Sequence, residues 1–537
     1  MIDHLFRPRP VYLADSFMCP VGRYDGRHRG KQSFFGLAGQ VNQLLDRQAD
    51  GREKIDCVVV GSQNPFAFSG IDNVAAKIAG ILDLSGPKSL LVDTASSSGA
   101  TALETAYMEI ASGRHERVLA LGIQKMSDLS TAEAIKVVAG VIDREEAEFG
   151  LTMPACGALV AGALMDEFGL DREAWTAYAA RWTERAHRFA AGNSDAHLAW
   201  ELPAAKYQED RRSGKNYLYY DPLHYYDFCP MSDGVAACLL TAAPQDVRVT
   251  GVGSGTDIPT IADRRQLTSF PATVIALRYA LAMAGLPNLE RLAGKVHVNM
   301  HDPFISFGPV NLADLGIVSR EGMLEGLLDE GLTGPNGRFP TNLTGGLRGR
   351  GHPLGATGMI QVVENHRMIR QGRFAAGLSQ SIGGPINNNV VILLEATEHF
   401  QGRENIPYRP EKLPVLSRLK PPSVSLPALF AERNRIGARL VAATSRHDPK
   451  SGSPMDSLLL FTAPVQGRHY RFLVALDPVA REALSGLRPG DRILLEKRGE
   501  LLTVNEVPVR RFYRKTLEGI VDLADSALRR LRRAGRG

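Results

Sequence analysis

Several features are scarce or missing in this sequence of 537 residues, and each absence excludes a class of protein. No run of about 18 apolar residues occurs, so the sequence predicts no transmembrane helix. The N-terminal segment, Met1 to Arg7, lacks the apolar core of a secretory signal peptide. The five cysteines contain no Cys-x-x-Cys pair and no disulfide pattern, so we expect free, buried thiols in a reducing cytoplasm. These cysteines are Cys19, Cys57, Cys156, Cys229 and Cys238.

Length and composition indicate a globular protein of several domains. Hydrophobic residues make up 44% of the chain and charged residues 23%, as in soluble proteins. The net charge is only +5, and much of the positive excess lies in the arginines of residues 529–533. We predict a basic helix over residues 511–537, whose arginines complement the helix dipole. Such a tail could also contact nucleic acid or an anionic lipid surface. We favour the solvated helix, and nucleic acid is not an expected partner.

The order of the predicted elements is that of an α/β protein. Strands and helices alternate from Val11 to about Glu398. A long insertion, residues 166–245, separates two sets of strands and contains an aromatic-rich segment, Tyr217 to Phe228. Aromatic density of this kind indicates an apolar ligand pocket, although it also serves loop packing. The predicted strands are residues 11–15, 57–62, 89–95, 117–123, 157–165, 247–254, 295–301, 372–379 and 389–395.

The composition changes after Phe400. Prolines recur over residues 401–430 and predict a semi-rigid linker. Short strands with turn signals between them follow over residues 431–510 and predict a small antiparallel β-barrel. We expect this barrel to dock against the α/β part or to bind a protein partner. Residues 468–472 interleave basic and aromatic side chains, a nucleic-acid-binding pattern that a half-buried strand also produces.

Three consecutive serines mark the point where an apolar strand turns into a helix. Ser96, Ser97 and Ser98 follow the run Ser89 to Val92 and precede an amphipathic helix. The N-terminus of a helix offers outward N–H groups and a positive dipole, which stabilise an oxyanion or a thiolate. A nucleophile is therefore well placed here. Serine is also a preferred N-cap residue, so the turn alone does not separate the two interpretations.

Three further motifs are candidates for the same site. Residues 345–358 are glycine-rich and contain His352, but they lack the Gly-Lys-Ser/Thr of a nucleotide-binding P-loop. His301 ends the strand that begins at residue 295, and Ser381 opens the sequence Ser-Ile-Gly-Gly-Pro. Ligands of open α/β sheets bind at strand ends, so the motifs are candidates for one site.

Together these segments resemble the thiolase superfamily over residues 11–398. The sequence Gly-His-Pro-Leu-Gly-Ala-Thr-Gly at residues 351–358 carries most of the resemblance. The His-Asp-Pro-Phe at residues 301–304 points to the sterol-carrier-protein-type branch, and the C-terminal barrel to the group called thiolase-like protein type 1. The resemblance implies a layered αβαβα fold of two similar halves, residues 1–270 and 271–400.

The resemblance also assigns expected roles to four residues. Ser96 takes the place of the family's nucleophilic cysteine, and His352 that of the histidine that activates it. His301 matches the residue that helps to hold the thioester oxygen. Ser381 stands where ordinary thiolases carry a second, acid/base cysteine. Pro303 stands where the sterol-carrier type has its own, so both routes to that cysteine are closed.

The expected function is that of an acyl-CoA C-acyltransferase in lipid metabolism. An acyl-serine is an oxygen ester, lower in energy than a thioester, so thiolysis is the reaction least suited to Ser96. Serine also needs a positioned base, whereas cysteine is partly ionised at pH 7. Two alternatives stay open, an inactive acyl-CoA-binding protein and an acyl-CoA hydrolase. No cofactor is expected beyond coenzyme A as substrate or ligand, the segment 217–228 is the expected acyl-CoA pocket, and the chain is a monomer or homodimer.

Overall fold

Two β-sheets organise the protein in a computed structural model. The structure describes residues 8–48, 51–148, 150–264, 266–400, 403, 435–465, 468–498, 501–509 and 511–513. The strands are β1 Tyr12–Met18, β2 Cys57–Gly61, β3 Lys88–Val92, β4 Arg117–Gln124, β5 Leu218–Tyr220, β6 Leu223–His224, β7 Gly234–Thr241, β8 Val247–Thr256, β9 Val296–Asn299, β10 Ala376–Gly383, β11 Asn388–Ala396, β12 Arg435–His447, β13 Pro454–Val465, β14 Arg468–Leu476, β15 Arg492–Arg498, β16 Leu501–Val504, β17 Val507–Val509 and β18 Arg511–Tyr513.

Helices cover the larger sheet on both faces. The helices are α1 Phe34–Gly39, α2 Asn42–Leu45, α3 Pro65–Ser69, α4 Val74–Ile81, α5 Ser98–Ala111, α6 Thr131–Ala139, α7 Arg144–Glu148, α8 Met153–Phe168, α9 Arg172–Ala191, α10 Ala204–Arg212, α11 Pro271–Met283, α12 Phe307–Asp314, α13 Met323–Leu328, α14 Glu330–Thr333, α15 Gly346–Arg350, α16 Thr357–Arg370 and, as α17, Pro478–Ala483.

The larger sheet joins two similar halves edge to edge. Its strand order is β3-β2-β4-β7-β1-β8-β11-β10-β9. One half of the sheet, β3-β2-β4-β7-β1, meets the other, β8-β11-β10-β9, where β1 pairs with β8. Each half combines a parallel pair, β2 with β3 and β9 with β10, with antiparallel strands. All five residues of β2 are buried, as expected for an apolar strand covered on both faces.

Two central helices lie between the strands of the two halves. α5 and α16 pack against each other, α5 against β2 and β4, and α16 against β10 and β7. Outer helices complete the layers, with α1 and α4 packed on one side and α11 on the other. The layered α/β arrangement expected from the resemblance is therefore confirmed.

The predicted strand over residues 157–165 is wrong, because these residues belong to helix α8. Thr152 caps the N-terminus of this helix by accepting from the Ala155 N–H at 3.2 Å, and Gly169 ends it in the left-handed region. A short, continuously apolar run fits a buried helix as well as a buried strand, so periodicity does not separate them. The insertion expected over residues 166–245 also differs, because its last part forms β7 in the larger sheet.

The smaller sheet consists of the C-terminal strands together with the short hairpin β5–β6. Its order is β17-β16-β15-β12-β13-β14-β18, with all of these neighbours antiparallel, and β5 pairs with β12. Within the described part of residues 435–513, β17 and β18 at the two ends do not pair with each other. The antiparallel strands are confirmed, whereas closure into a barrel is not.

Two predicted segments lie largely outside the described residues. The linker over residues 401–430 is described only at Arg403. Of the basic helix predicted over residues 511–537, only Arg511–Tyr513 is described, and it forms strand β18. The strand expected at residues 468–472 is confirmed as part of β14, but its basic and aromatic side chains are outside the described part.

No single helix among the described residues is long and apolar enough to cross a bilayer. The bent pair formed by α8 and α9 passes the same test of length and composition only when the two helices are taken together.

Candidate active site

The triple-serine turn places Ser96 between strand β3 and helix α5. Ala95 adopts a left-handed backbone with φ of 58°, an unfavourable conformation for a residue with a Cβ. Ser97 Oγ donates to the Thr94 carbonyl at 2.7 Å, and Ser98 Oγ donates to the Ala95 carbonyl at 2.5 Å. Ser97 occupies the N-cap position of α5 but makes no side-chain cap bond. The hydroxyls of Ser97 and Ser98 instead stabilise the sharp turn that carries Ser96.

Close packing from the other half of the fold supports this turn. A Cβ atom at Gly383, at the end of β10, would lie 2.0 Å from the Thr94 carbonyl oxygen and 2.5 Å from Ser97 Oγ. A Cβ at Gly355 would lie 2.5 Å from the backbone nitrogen of Gln63. The Gln63 side chain in turn accepts from Ser96 Oγ at 3.3 Å. The glycines of the two motifs thus let backbone segments of both halves meet at Ser96.

His352 follows helix α15 and is held from both sides. Its backbone N–H donates to Ser232 Oγ at 3.2 Å, and its ring Nδ1 lies 2.7 Å from Thr357 Oγ1. Burial lowers the pKa of His352 to about 3, and the nearby Arg350 guanidinium contributes in the same direction. The imidazole is therefore neutral at pH 7 and can accept a proton.

His301 lies against His352 at the end of strand β9. The two rings are 5.0 Å apart between centroids and nearly perpendicular. The His301 N–H donates to Gln380 Oε1 at 2.8 Å, and the His301 carbonyl accepts from Asn311 Nδ2 at 2.7 Å. Its ring Nδ1 is buried and has no hydrogen-bond partner among the described residues. Burial and the adjacent His352 hold the pKa of His301 well below its usual range.

The loops that carry the two histidines are tied together by a buried carboxylate. Asp302 accepts from the Leu347 backbone N–H at 2.7 Å, which connects the end of β9 with the glycine-rich segment. Burial raises the pKa of Asp302 to about 6. This hydrogen bond between a side chain and the backbone therefore helps to fix the relative position of His301 and His352.

Ser96, His301 and His352 line one cavity of about 890 Å³. Aromatic and aliphatic side chains form much of its wall, and the aromatic segment expected to line a pocket does so. Charged side chains, both basic and acidic, stand among the same lining residues. The aromatic lining residues of the segment are Tyr217, Tyr219, Tyr225, Tyr226 and Phe228. The charged ones are Arg23, Glu201, Lys206, Asp210 and Lys215.

Ser381 does not join this group. It lies within β10, is fully buried, and is not among the residues that line the cavity. Its Oγ has no hydrogen-bond partner in the part of the chain that the structure describes. The structure therefore brings three of the four expected site residues to one cavity, whereas Ser381 does not line it.

One cavity residue was missed by sequence reasoning. Cys229 lines the cavity, and its backbone N–H donates to the Pro303 carbonyl at 2.8 Å, next to His301. Burial raises the pKa of this thiol to about 12, so it is a neutral thiol at pH 7. No spacing rule marks Cys229, because the contact joins segments more than seventy positions apart. The other four cysteines are buried and free, as expected.

A second group of metal-type side chains lies at the far end of helix α5. Ligand atoms of Cys57, Glu109 and His115 lie within 4.8 Å of one another. His115 Nε2 is 3.2 Å from Glu109 Oε2, and Lys88 also contacts Glu109. These ion pairs account for the cluster, and it is separated from Ser96 by the length of the helix.

The fold and the cavity define a thiolase-type protein. Residues 11–244 match the family model described as the thiolase N-terminal domain, and residues 253–396 match the thiolase C-terminal domain-like model. The chain therefore belongs to the thiolase superfamily, in its sterol-carrier-protein-type branch.

Relatives of known name support this assignment. The chain is 33% identical over 357 residues to an acetyl-CoA acetyltransferase of Methanothermobacter thermautotrophicus, covering 64% of this chain and 87% of that protein. It is 27% identical over 303 residues to sterol carrier protein 2 of Bos taurus, covering 53% of each. A monomeric SCP2-thiolase like protein type 1 of Mycobacterium smegmatis has the same fold, with a TM-score of 0.68, 17% identity, and coverage of 93% of this chain and 99% of that one.

Proposed function

We propose that this protein transfers acyl groups from acyl-CoA and that Ser96 accepts the acyl group. The observation that carries the proposal is the convergence of Ser96 with two buried, neutral histidines on one cavity. A serine hydroxyl needs a base beside it. Both histidines are unprotonated in the physiological range, as a general base must be, and their burial makes them weaker proton acceptors than an exposed imidazole. The name of the methanogen relative, an acetyl-CoA acetyltransferase, supports the class of reaction.

In the proposed step, Ser96 Oγ attacks the thioester carbonyl carbon while its proton passes to His352. Thr357 Oγ1 lies 2.7 Å from the other ring nitrogen of His352, Nδ1, and a hydrogen bond donated by Nδ1–H to that oxygen leaves Nε2 as the nitrogen that accepts the proton. His301 donates a hydrogen bond to the oxyanion that forms. The C–S bond then breaks, the coenzyme A sulfur takes the proton from His352, and the acyl group remains on Ser96 as an ester.

The charged residues of the cavity support binding of coenzyme A. Arg23, Lys206 and Lys215 supply cations among the lining residues. Phosphate groups bind preferentially to such side chains. Lys206 is also fixed by Asp210 at 2.9 Å, so its ammonium is positioned rather than free to sample all directions. The apolar remainder of the wall suits an acyl chain.

The fate of the acyl group separates three forms of this function. Transfer to a carbon or another acceptor makes the protein an acyltransferase, and transfer to water makes it a hydrolase. Binding without acylation makes it an acyl-CoA-binding protein. Return to coenzyme A is uphill from an oxygen ester, so we expect thiolysis to be the slowest of the transfers.

Intact-mass measurement after incubation with acetyl-CoA or dodecanoyl-CoA tests the proposal. We expect wild-type protein to gain the mass of one acyl group and Ser96→Ala to gain none. Rapid loss of the adduct in buffer identifies the hydrolase. Coenzyme A binding without an adduct identifies the binding protein. An adduct that persists in Ser96→Ala places the acyl group elsewhere and contradicts the proposal.

A further inference from the structure

The segment that forms the aromatic wall of the cavity is a hairpin with two different sides. Along β5, Tyr219 lines the cavity, while the next residue, Tyr220, faces away and bonds Thr152 through its hydroxyl at 3.1 Å. Neighbouring residues of a strand point to opposite sides, so the back of the hairpin cannot move without displacing Tyr219 at the front.

The C-terminal sheet holds this hairpin from behind. Tyr220 pairs with Arg446 of β12, and the Asp221 backbone N–H donates to the Ser445 carbonyl at 2.9 Å. Side chains of the C-terminal sheet, among them Ala442 and Leu458, belong to the same buried apolar cluster as Tyr220 and the cavity residue Phe304. The sheet is therefore continuous with the cavity wall in both hydrogen bonding and packing.

The carboxylate of Asp221 is the centre of this junction. It accepts from Arg172 of α9 at 2.7 Å, and Arg481 of α17 lies 3.7 Å away on the other side. Arg481 Nε also donates to Ser445 Oγ at 2.7 Å. The Asp221 side chain is only 9% exposed, whereas that of Arg172 is 61% exposed and that of Arg481 is 16% exposed. The more buried partner, Arg481, is therefore the one whose charge is screened less by solvent. We name these residues, Arg172, Asp221, Ser445 and Arg481, the Asp221 junction.

Beside the junction, where Tyr220 pairs with Arg446, the hairpin and the C-terminal sheet also border a void. A second cavity of about 460 Å³ lies between α8 and the strands β12 to β14, with Tyr220, Thr444 and Arg446 among its lining residues. A void removes packing contacts from the surfaces that face it. The Asp221 junction is therefore a principal point at which the hairpin is fixed against the sheet.

We propose that the C-terminal sheet sets the acyl-chain selectivity of the cavity by holding the aromatic hairpin in place through the Asp221 junction. This inference rests on the proposed function, because it assigns the hairpin to the acyl chain. Asp221 and Arg481 act here as positioning residues, since they touch the hairpin or its support and not the cavity. A small acyl group that stays near Ser96 is insensitive to the hairpin, whereas a long one requires it.

Binding of two thioether analogues, S-ethyl-CoA and S-dodecyl-CoA, tests the inference without acyl transfer. We expect Arg481→Ala to weaken binding of S-dodecyl-CoA about fivefold, as loss of one hydrogen bond of ordinary strength does, and to leave binding of S-ethyl-CoA within about twofold. Arg481→Lys should recover part of the loss. The matched control is Arg439→Ala, because Arg439 is also an arginine of this sheet paired across the interface, at 3.9 Å to Asp166 of α8, but away from the hairpin.

Amide hydrogen exchange of the ligand-free protein gives a second readout that needs no ligand. We expect residues 217–228 to exchange faster in Arg481→Ala than in wild type or Arg439→Ala, because local opening becomes easier. Equal weakening of both analogues, the same change in Arg439→Ala, or unchanged exchange of the hairpin overturns the inference. If wild-type protein binds neither analogue, the proposed function fails, while the exchange experiment still decides whether the junction holds the hairpin.

Discussion

Ser96 and Ser381 carry the same side chain and stand at the two positions where the superfamily is expected to carry cysteines, yet their surroundings differ. Ser96 follows a left-handed residue at the end of β3 and lines the cavity with two histidines. Ser381 lies inside β10, fully buried, with no partner for its hydroxyl among the described residues. Under the proposed function, we expect the two serines to differ in reactivity because only Ser96 lies on an exposing turn and shares a cavity with the histidines.

The largest effect on the contrast between Ser96 and Ser381 is expected from removal of the proposed base, His352. We expect His352→Ala to slow acylation of Ser96 by about 10²- to 10⁴-fold, the usual contribution of a positioned general base. Time-resolved intact-mass measurement with acyl-CoA gives this rate. Coenzyme A affinity should change little, which separates loss of the base from loss of the site. An unchanged acylation rate contradicts the role proposed for His352.

The next largest effect, on stability, is expected at the contact between the turn that carries Ser96 and the end of β10, the strand that carries Ser381. Gly383→Ala should destabilise the protein by about 3 kcal/mol, because overpacking against backbone cannot be relieved by a rotamer change. The new Cβ would meet the Thr94 carbonyl at 2.0 Å. Gly162→Ala in α8 is the control, since its Cβ would lie no closer than 3.7 Å to any neighbour.

Urea unfolding of both glycine variants measures the difference. The control should be neutral or stabilised by up to about 1 kcal/mol, the gain of alanine over glycine in a helix. Equal stability changes in the two variants would mean that the contact between β10 and the serine turn is not tight in solution.

The pH dependence of acylation tests whether His352 is as buried and as weakly basic as the structure indicates. His352 must be unprotonated to act as a base, and its pKa of about 3 keeps it so above that pH. We therefore expect the acylation rate to stay within about threefold between pH 8 and pH 5, whereas a histidine with an ordinary pKa of about 6.5 would slow it about 30-fold. The rate should fall only as the pH approaches 3. A decrease centred near pH 6.5 would show that His352 is more solvated than the structure has it.

Much of this arrangement could be predicted from the sequence, because it depends on local patterns. The strand ends, the serine turn and the glycine-rich segment around His352 carry their own signals, and the structure brings Ser96, His301 and His352 to one cavity. The helix over Met153–Phe168 was missed because an apolar run of that length has no period that excludes a strand.

Contacts between distant segments could not be predicted. The Cys229 N–H donates to the Pro303 carbonyl beside the cavity, and the Asp221 N–H donates to the Ser445 carbonyl of the C-terminal sheet. Neither contact produces a recognisable spacing of residues in the sequence, since both result from the packing of complete helices and strands. The exclusion of Ser381 from the cavity has the same origin, because its motif fixes a strand end but not the direction of one side chain.

The smallest effect, and the most direct test of the contrast, is expected at Ser381 itself. Ser381→Ala should leave acylation within about twofold and should be neutral or slightly stabilising, because it removes a buried hydroxyl that makes no hydrogen bond within the described part of the chain. Ser379 on the same strand is the matched control, since its Oγ accepts from Asn365 Nδ2 at 2.9 Å. Ser379→Ala leaves that amide unpaired and should cost about 1–3 kcal/mol. Urea unfolding compares the two variants. If Ser381→Ala lowers the free energy of unfolding as much as Ser379→Ala does, the Ser381 hydroxyl has a hydrogen-bond partner in solution. Its surroundings then differ less from those of Ser96 than the structure indicates.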